Sequence, residues 1–296
     1  MRRRAAAAAV LACALAGCAR RPLTVTFVDV GQGDAIVIQT PSGGTLAVDA
    51  GRRGDGGDDA ARRAVVPYAR ARMIDSLDGL LITHADDDHA GGAPTLVRRL
   101  RPASLLVPPR LLVSPPGDHE QAAREALERC RSGRVPIRAV GRGMSLRFHD
   151  GVTVEVLHPP ADWPSDGPLA DNDGCVVARV RYGSTALLLL GDAQEAAIAC
   201  MLRARLDLRA DVLKVSHHGS RSGLPPALLE VCRPGAAVVS VGRGNVYGHP
   251  HPAVLDALRR GGARVFRTDL DGTVSVESDG VRLRIRTALE RPRRVP

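Results

Sequence analysis

The segment from His84 to His89 places two histidines and three aspartates within six residues. It follows an apolar run and precedes a pair of glycines, so we expect a loop that leaves the end of a strand. Imidazole and carboxylate groups are ligands for divalent cations such as Zn²⁺ and Mn²⁺. A helix dipole would favour one or two aspartates at a helix N-terminus, but it does not explain a histidine at each end. The segment therefore predicts a metal-binding loop, in which His84 and Asp86 face one ion and Asp88 and His89 face another.

The segments around this loop predict a mixed α and β fold. LTVTFVDV, DAIVIQT and GTLAVDA alternate apolar with polar residues, as half-buried strands do. Later in the chain, strand-like runs such as TALLLLGD and DVLKVSH alternate with helix-like runs. Two sheet-rich halves with flanking helices predict an α+β fold, a four-layer αββα sandwich. The stretch Arg110–Gly117 is rich in proline and predicts a loop.

The spacing of these residues resembles the metallo-β-lactamase superfamily, whose signature is HxHxDH. In this sequence Asp86 stands where the middle histidine is expected. Asp192, at the end of LLLLGD, matches the aspartate that bridges both metals, and Asp49 in LAVDAG matches a supporting aspartate outside the ligand shell. His217 in LKVSHHGS matches the last histidine ligand. The resemblance implies the metallo-β-lactamase fold and two divalent ions, Zn²⁺ or Mn²⁺, held by His84, Asp86, Asp88, His89, Asp192 and His217.

A narrower resemblance, from Leu23 to Thr287, is to the metallo-β-lactamase domain of ComEC-like competence proteins. It is carried by VDVGQGDAIVI, THADDDHAGG, VLKVSHHGS and NVYGHP. This resemblance implies a phosphodiesterase or nuclease that acts on DNA during uptake. His249 of NVYGHP is then the candidate for a phosphate contact or for protonating the leaving group, beside Asp88 and Asp192 as catalytic residues. For Asn245, hydrogen bonding to the phosphate and capping of its own turn are equally favoured.

The sequence departs from the superfamily pattern at three places. Where most members have a histidine ligand before the bridging aspartate, this sequence has Asn172, so water would complete the first metal site or leave it weaker. His158 is a less favoured substitute, since packing at a strand end also explains it. His218 is an alternative ligand to His217, or a substrate contact. Lys214 is the only lysine, and we expect it to pair with phosphate or, equally, with a buried aspartate.

The expected mechanism is metal-assisted hydrolysis, in which two ions acidify a bridging water that attacks phosphorus. The three carboxylates of Asp86, Asp88 and Asp192, together with one bridging hydroxide, would neutralise two divalent ions. The additional carboxylate at Asp86 makes the ligand set harder, which favours Mn²⁺ more than an all-histidine site would.

The N-terminal sequence predicts export. Residues 1–17 have a basic start and a short apolar core, as in a lipoprotein signal peptide, and LAGC resembles a lipobox that ends at Cys18. A plain secretory signal is the alternative. We expect residues 18–22 to be a linker, residues 23–287 to be the hydrolase domain and residues 288–296 to be a disordered basic tail. The protein would be a membrane-anchored lipoprotein, held by its lipid alone, or a periplasmic or extracellular protein.

The formal net charge of +9 is compatible with DNA as a partner. Aromatic residues make up only 2% of the chain, so we expect DNA binding to be mainly electrostatic. Two alternatives remain open at this point. One is a hydrolase of small phosphodiesters, esters or lactones, and the other is a non-catalytic surface lipoprotein that binds DNA or metal. A site without catalysis would have no reason to keep so many acidic groups together, which argues against the second alternative.

ComEC-like proteins also carry a membrane channel domain. No such domain is recognisable in this sequence, so we expect a free-standing relative.

Overall fold

The computed structural model describes residues 21–54, 58–114, 117, 120–164 and 171–289. The predicted signal peptide, the lipidation site Cys18 and most of the predicted basic tail lie outside the described residues. None of the helices in the described ranges combines the length and the apolarity needed to span a bilayer.

The first sheet has eight strands in the order β15-β14-β1-β2-β3-β4-β5-β6 in the described residues. Strands β1, β2, β3, β14 and β15 pair in antiparallel fashion, whereas β3 through β6 are parallel. The strands are β1 Leu23–Phe27, β2 Ile36–Gln39, β3 Thr45–Val48, β4 Gly79–Leu81, β5 Leu105–Val107, β6 Ile137–Ala139, β14 Val274–Ser278 and β15 Leu283–Thr287.

The second sheet has seven strands in the order β13-β12-β11-β10-β9-β8-β7 in the same ranges. Strands β7 to β10 are antiparallel, and β10 to β13 are parallel. The strands are β7 Ser145–Arg147, β8 Thr153–His158, β9 Val177–Tyr182, β10 Thr185–Leu189, β11 Val212–Lys214, β12 Ala236–Val239 and β13 Arg264–Arg267.

Helices cover the outer faces of both sheets. A π-helical turn at Ala61–Val65 continues into α1, and short 3₁₀ turns lie at Asn172–Gly174, Ser216–Gly219 and Arg221–Gly223. The α-helices are α1 Val66–Ala71, α2 Asp87–Ala90, α3 Ala93–Leu100, α4 Arg110–Val113, α5 Gln121–Ser132, α6 Glu195–Arg203, α7 Pro226–Cys232, α8 Pro252–Arg260 and α9 Thr268–Asp271.

Three buried apolar clusters separate four layers. The central cluster joins the inner faces of the sheets, and strand alternation explains it: Leu23, Val25 and Phe27 of β1 face the second sheet, while Thr26 between them bonds the Tyr68 hydroxyl on the other side. One outer cluster packs α1, α3 and α5 on the first sheet, and the other packs α6, α7 and α8 on the second. The predicted αββα sandwich is confirmed.

The prediction of a loop over Arg110–Gly117 is wrong at its start. Arg110–Val113 forms one helical turn, in which Leu111 is buried and the Arg110 guanidinium bonds Glu120 at 2.8 Å. Pro109 precedes the turn with a helical backbone conformation, and prolines favour the beginning of a helix because their missing N–H is not needed there.

The parallel strands bring their carboxyl ends to one edge of the sandwich. Asp49 follows β3, His84 follows β4, Asp192 follows β10, and His217 and His218 follow β11. A backbone hydrogen bond of 2.9 Å from Val176 N to Thr83 O joins the two sheets at this edge. The topology therefore places the predicted metal ligands next to one another.

The turn between β1 and β2 lies against the predicted metal loop. Asp34 N donates a hydrogen bond to Asp88 O at 3.0 Å. Gly33 has a φ of +125°, and the backbone of Gly33 packs closely against the same carbonyl group. A Cβ at Gly33 would overlap the Asp88 carbonyl oxygen, whereas a Cβ at Gly31 would meet nothing within 4 Å although its φ is also positive, +76°.

We predict that Gly33→Ala lowers the free energy of unfolding by at least about 3 kcal/mol, because steric overlap adds to backbone strain. Gly31→Ala is the matched control and should lose only the strain, about 1–2 kcal/mol. Urea denaturation of both variants measures the difference, and equal losses would contradict this packing of the turn on the loop.

Candidate metal centre

The loop after β4 turns its acidic residues in different directions. Asp86 precedes α2 with a ψ of 145°, so the chain enters the helix there and Asp88 and His89 turn inward. Asp87 points outward, where its carboxylate is 40% exposed and lies 3.5 Å from Arg52 Nε. His84 is buried, and its Nε2 lies 3.5 Å from an Asp86 oxygen. Desolvation raises the pKa of Asp87, whereas the close contact with His84 lowers that of Asp86.

The buried aspartate Asp49 fixes the orientation of His89. Its carboxylate accepts hydrogen bonds from Thr83 N at 2.8 Å, from Thr83 Oγ1 at 2.7 Å and from His89 Nδ1 at 2.8 Å. Burial would lower the pKa of His89, but Asp192 and Asp49 raise it well above its ordinary value when no metal ion is bound. In the neutral form, with its proton on Nδ1, the Nε2 atom presents a lone pair, as a metal-ligating histidine does. That Nε2 lies 3.2 Å from Asp192 Oδ1.

Asp192 lies at the centre of the cluster. Its second oxygen, Oδ2, is 3.6 Å from His218 Nε2 and 3.7 Å from His217 Nε2. Burial alone would raise the pKa of Asp192, but the charge of His89, followed by that of His218, holds it well below its ordinary value. The carboxylate is therefore ionised and attracts cations.

The two adjacent histidines after β11 have different surroundings. Both have left-handed backbones, with φ of 46° at His217 and 53° at His218, so their side chains diverge. His218 is buried, donates from Nδ1 to Ser240 O at 2.9 Å and directs Nε2 at Asp88 Oδ2, 3.0 Å away. His217 is 25% exposed at its side chain, and its Nδ1 lies 3.1 Å from Gln194 Nε2.

This arrangement favours His218 over His217 as the histidine that binds a cation together with Asp88. A neutral His218 that donates from Nδ1 has a lone pair at Nε2, which would face a carboxylate oxygen of Asp88 and be repelled by it. A cation between them removes the repulsion, and the same holds between His89 and Asp192. Without a metal ion a proton must take this place: burial would lower the pKa of His218, but Asp192 and Asp88 raise it, and Asp88 in turn has a pKa well below its usual range despite its burial.

The donor atoms fit divalent cations. Four overlapping groups of side chains each place their ligand atoms within 4.8 Å of one another in the described residues: His84 with His89 and Asp192, Asp88 with His89 and His218, Asp34 with Asp192 and His218, and Asp34 with Asp49 and His89. His84 Nε2, His89 Nε2 and Asp192 Oδ1 are buried, and the described residues give them no hydrogen bond. Neutral imidazoles and ionised carboxylates at such distances are a ligand set for zinc or manganese.

Lys214 is fully buried beside this cluster. Its Nζ contacts the Asp34 carboxylate, bonds Gly191 O at 3.0 Å and lies 3.8 Å from Asp192 Oδ1. Burial would lower the pKa of Lys214, but Asp34 and Asp192 outweigh it and raise the pKa. Of the partners considered from the sequence, the structure places a buried aspartate next to the ammonium group.

Asn172 and His158 lie outside the groups of donor atoms. Asn172 is in a 3₁₀ turn, and the neighbouring Asp173 accepts hydrogen bonds from Gln194 N and Ala197 N, both at 2.9 Å, at the start of α6. His158 is buried against Trp163 and bonds Asp173 O at 2.8 Å through Nε2. Burial lowers its pKa to about 4, which is consistent with packing at a strand end. A metal-site role for Asn172 stays a prediction.

Asn245 holds its own turn. Its amide nitrogen donates to Gly242 O at 3.1 Å and His249 O at 2.6 Å, and its oxygen accepts from Tyr247 N and His249 N at 3.2 and 3.1 Å. His249 lies at the cleft, and its ring centre is 5.6 Å from that of His217. Desolvation, followed by the charge of His217, lowers the pKa of His249. Phosphate contact by either residue stays a prediction.

Sequence reasoning missed several residues that orient the centre. No role in the metal centre was predicted for Asp34, Thr83, Gln194 or Ser240. The signal for Asp34 was an acidic residue directly before the apolar run of β2, since a charge at such a position must have a buried partner. The carbonyl group of Ser240 left no signal in the residue type.

A cleft of about 220 Å³ opens over the cluster. Its lining includes the donor residues Asp88, Asp192 and His218. The lining also includes Gln32, Arg52, Tyr247 and His249, which we call the rim residues. The cluster is therefore accessible to a substrate although most of its members are buried.

Comparison with known proteins identifies a family. A family model described as the metallo-beta-lactamase superfamily matches residues 28–243. ComE operon protein 3 of Bacillus subtilis (strain 168) is 33% identical over 263 residues, 84% of this chain and 32% of that protein. Recombination protein 2 of Haemophilus influenzae is 31% identical over 265 residues, 89% of this chain and 30% of that protein. The chain spans about a third of the length of these curated relatives.

Among solved structures, a mutant of CmlA beta-hydroxylase has a similar fold. The TM-score is 0.55 at 16% sequence identity, and the match covers 86% of this chain and 54% of that chain. At this level of identity the likeness concerns the fold alone.

We predict that Lys214→Met lowers the free energy of unfolding by about 3–5 kcal/mol, because it leaves Asp34 buried without its cation. Arg286→Met is the matched control. Its partner Glu277 lies 3.1 Å away on the surface, where the Arg286 side chain is 54% exposed, so the loss should be at most about 1 kcal/mol. Chemical denaturation measures both, and a loss for Lys214→Met no larger than that of the control would contradict the assigned ion pair.

Proposed function

Because the chain belongs to the metallo-β-lactamase superfamily, we propose that it is a dinuclear metal-dependent phosphodiesterase that acts on DNA. One observation carries the proposal: two imidazole nitrogens face two carboxylates, at 3.0 Å between His218 and Asp88 and at 3.2 Å between His89 and Asp192, beneath an open cleft. Each of these pairs requires a proton or a metal ion between its two atoms, and the cleft gives a substrate access to a metal ion bound there.

His84, Asp86, Asp88, His89 and Asp192 would hold the ions, together with His218 and, at the rim of the cleft, His217. Divalent ions bound there would acidify a water and stabilise the charge that develops on the phosphate oxygens. Asp49 and Ser240 keep the Nε2 atoms of His89 and His218 directed at the carboxylates, so the ligand geometry exists before substrate binds.

Two rim residues are positioned for contact with phosphate. Arg52 is more than half exposed beside the cleft and offers a guanidinium group, which suits a phosphate oxygen. His249 lies at the cleft, and its imidazole can offer a hydrogen bond to a phosphate oxygen.

DNA is favoured as the substrate by two facts. Two of the curated relatives are named Recombination protein 2 and Competence protein ComA, and the chain has a formal net charge of +9, of which the arginines of residues 1–17 contribute +3. We further propose that the signal peptide and Cys18 place the enzyme outside the cytoplasm, anchored to a membrane by lipid.

We predict that the metal-loaded protein cleaves labelled DNA and that Asp88→Asn reduces the rate more than the ~10–100-fold typical of residues that only orient a ligand. Asp256→Asn is the matched control, because Asp256 is an exposed residue of α8 that lies 3.6 Å from Arg259, and it should keep the rate and the metal content of the wild type. Gel assays with single- and double-stranded DNA, and elemental analysis of each variant, are the measurements. Hydrolysis of a small ester or lactone without any cleavage of DNA would overturn the proposed substrate.

We predict that Mn²⁺ supports activity at least as well as Zn²⁺, because Asp86 adds a hard carboxylate ligand. Asp86→His restores the histidine of the superfamily signature and should shift the preference toward Zn²⁺. Metal-stripped protein and variant are reconstituted with each ion, and initial rates are compared. Activity of the wild type with Zn²⁺ and none with Mn²⁺ would refute the prediction.

A further inference from the structure

A turn beside the cleft exposes two large apolar side chains. Val246 is 92% exposed and Tyr247 is 60% exposed, and Tyr247 is part of the cleft lining. Isolated apolar residues on a surface are ordinary. An adjacent pair at the rim of a polar cleft is different, because it is positioned to contact a ligand that occupies the cleft.

The turn is held rigidly without any help from these two side chains. Asn245 makes four hydrogen bonds across it, to Gly242, Tyr247 and twice to His249. Gly244 and Gly248 flank the exposed pair with φ of +65° and +69°. The Tyr247 ring is therefore presented to solvent by a fixed backbone, which reduces the entropy lost when a ligand binds it.

The ring of Tyr247 begins a row of rings that leads to the metal centre. It is nearly parallel to the His249 ring, with an interplanar angle of 26° and 5.9 Å between centres. The His249 ring then lies 5.6 Å from that of His217, whose Nε2 is 3.7 Å from Asp192. A flat group on Tyr247 would lie next to a phosphate bound near His249.

We propose that Tyr247, with Val246 beside it, stacks against an unpaired nucleobase next to the phosphodiester that enters the cleft. This inference rests on the proposed function and specifies its substrate as single-stranded nucleic acid, because a base within a duplex has no free face. Stacking on an aromatic ring tolerates any base. The low aromatic content predicts binding that is mainly electrostatic, and this one ring adds a contact that requires a base but not a particular base.

The test compares a single-stranded oligonucleotide with a fully abasic strand of equal length. We expect Tyr247→Ala to raise KM and weaken binding of the oligonucleotide about 5- to 150-fold, the range of one stacked base. Its kcat, and its binding of the abasic strand, should change little. Tyr247→Phe should retain wild-type values, because the ring and not the hydroxyl stacks. Val281→Ala, at an apolar residue that is 75% exposed in the β14–β15 hairpin, is the control.

Steady-state kinetics and fluorescence anisotropy are both required, because they separate this inference from the proposed function. If Tyr247→Ala weakens both strands equally or neither, the inference is overturned, whether or not DNA is cleaved. If no strand is cleaved but Tyr247→Ala still removes the preference for the strand with bases, the inference stands and the proposed nuclease activity fails.

Discussion

The structure depends on two imidazole–carboxylate contacts that are unfavourable without a cation. His89 Nδ1 donates a hydrogen bond to Asp49 and His218 Nδ1 donates one to the carbonyl oxygen of Ser240, so both Nε2 atoms face carboxylates, at 3.2 and 3.0 Å. A proton or a metal ion must lie in each contact. Both contacts join the two sheets, because Asp88 and His89 follow a strand of the first sheet, whereas Asp192 and His218 follow strands of the second.

The buried charges around the centre explain the presence of Lys214. Asp34, Asp49 and Asp192 are all almost fully buried, and carboxylates in such a place are unstable unless paired. Lys214 is a permanent cation for Asp34, and the hydrogen bonds from Thr83 and His89 satisfy Asp49. Asp192 is then left for exchangeable cations, which is the property a metal enzyme needs.

Much of this was predictable from local sequence, because strand alternation and acidic residues at strand ends are short-range signals. The αββα layers were predictable from the alternation of apolar and polar residues in segments such as β1, and the metal loop was predictable from the spacing of His84 and His89. The choice between His217 and His218 was not predictable, because the left-handed backbone that separates the two rings is not encoded by either residue type. The pairing of Asp34 with Lys214 joins residues far apart in sequence, and the exposure of Tyr247 depends on four hydrogen bonds of Asn245.

Crystals of the Mn²⁺-loaded protein, measured at the manganese absorption edge, would show where the ions bind. We expect an anomalous peak within bonding distance of Asp88, His89, Asp192 and His218 Nε2, with a second ion toward His84 and Asp86. Manganese bound elsewhere, or a His218 side chain that turns away from Asp88 when the metal is present, would contradict this expectation.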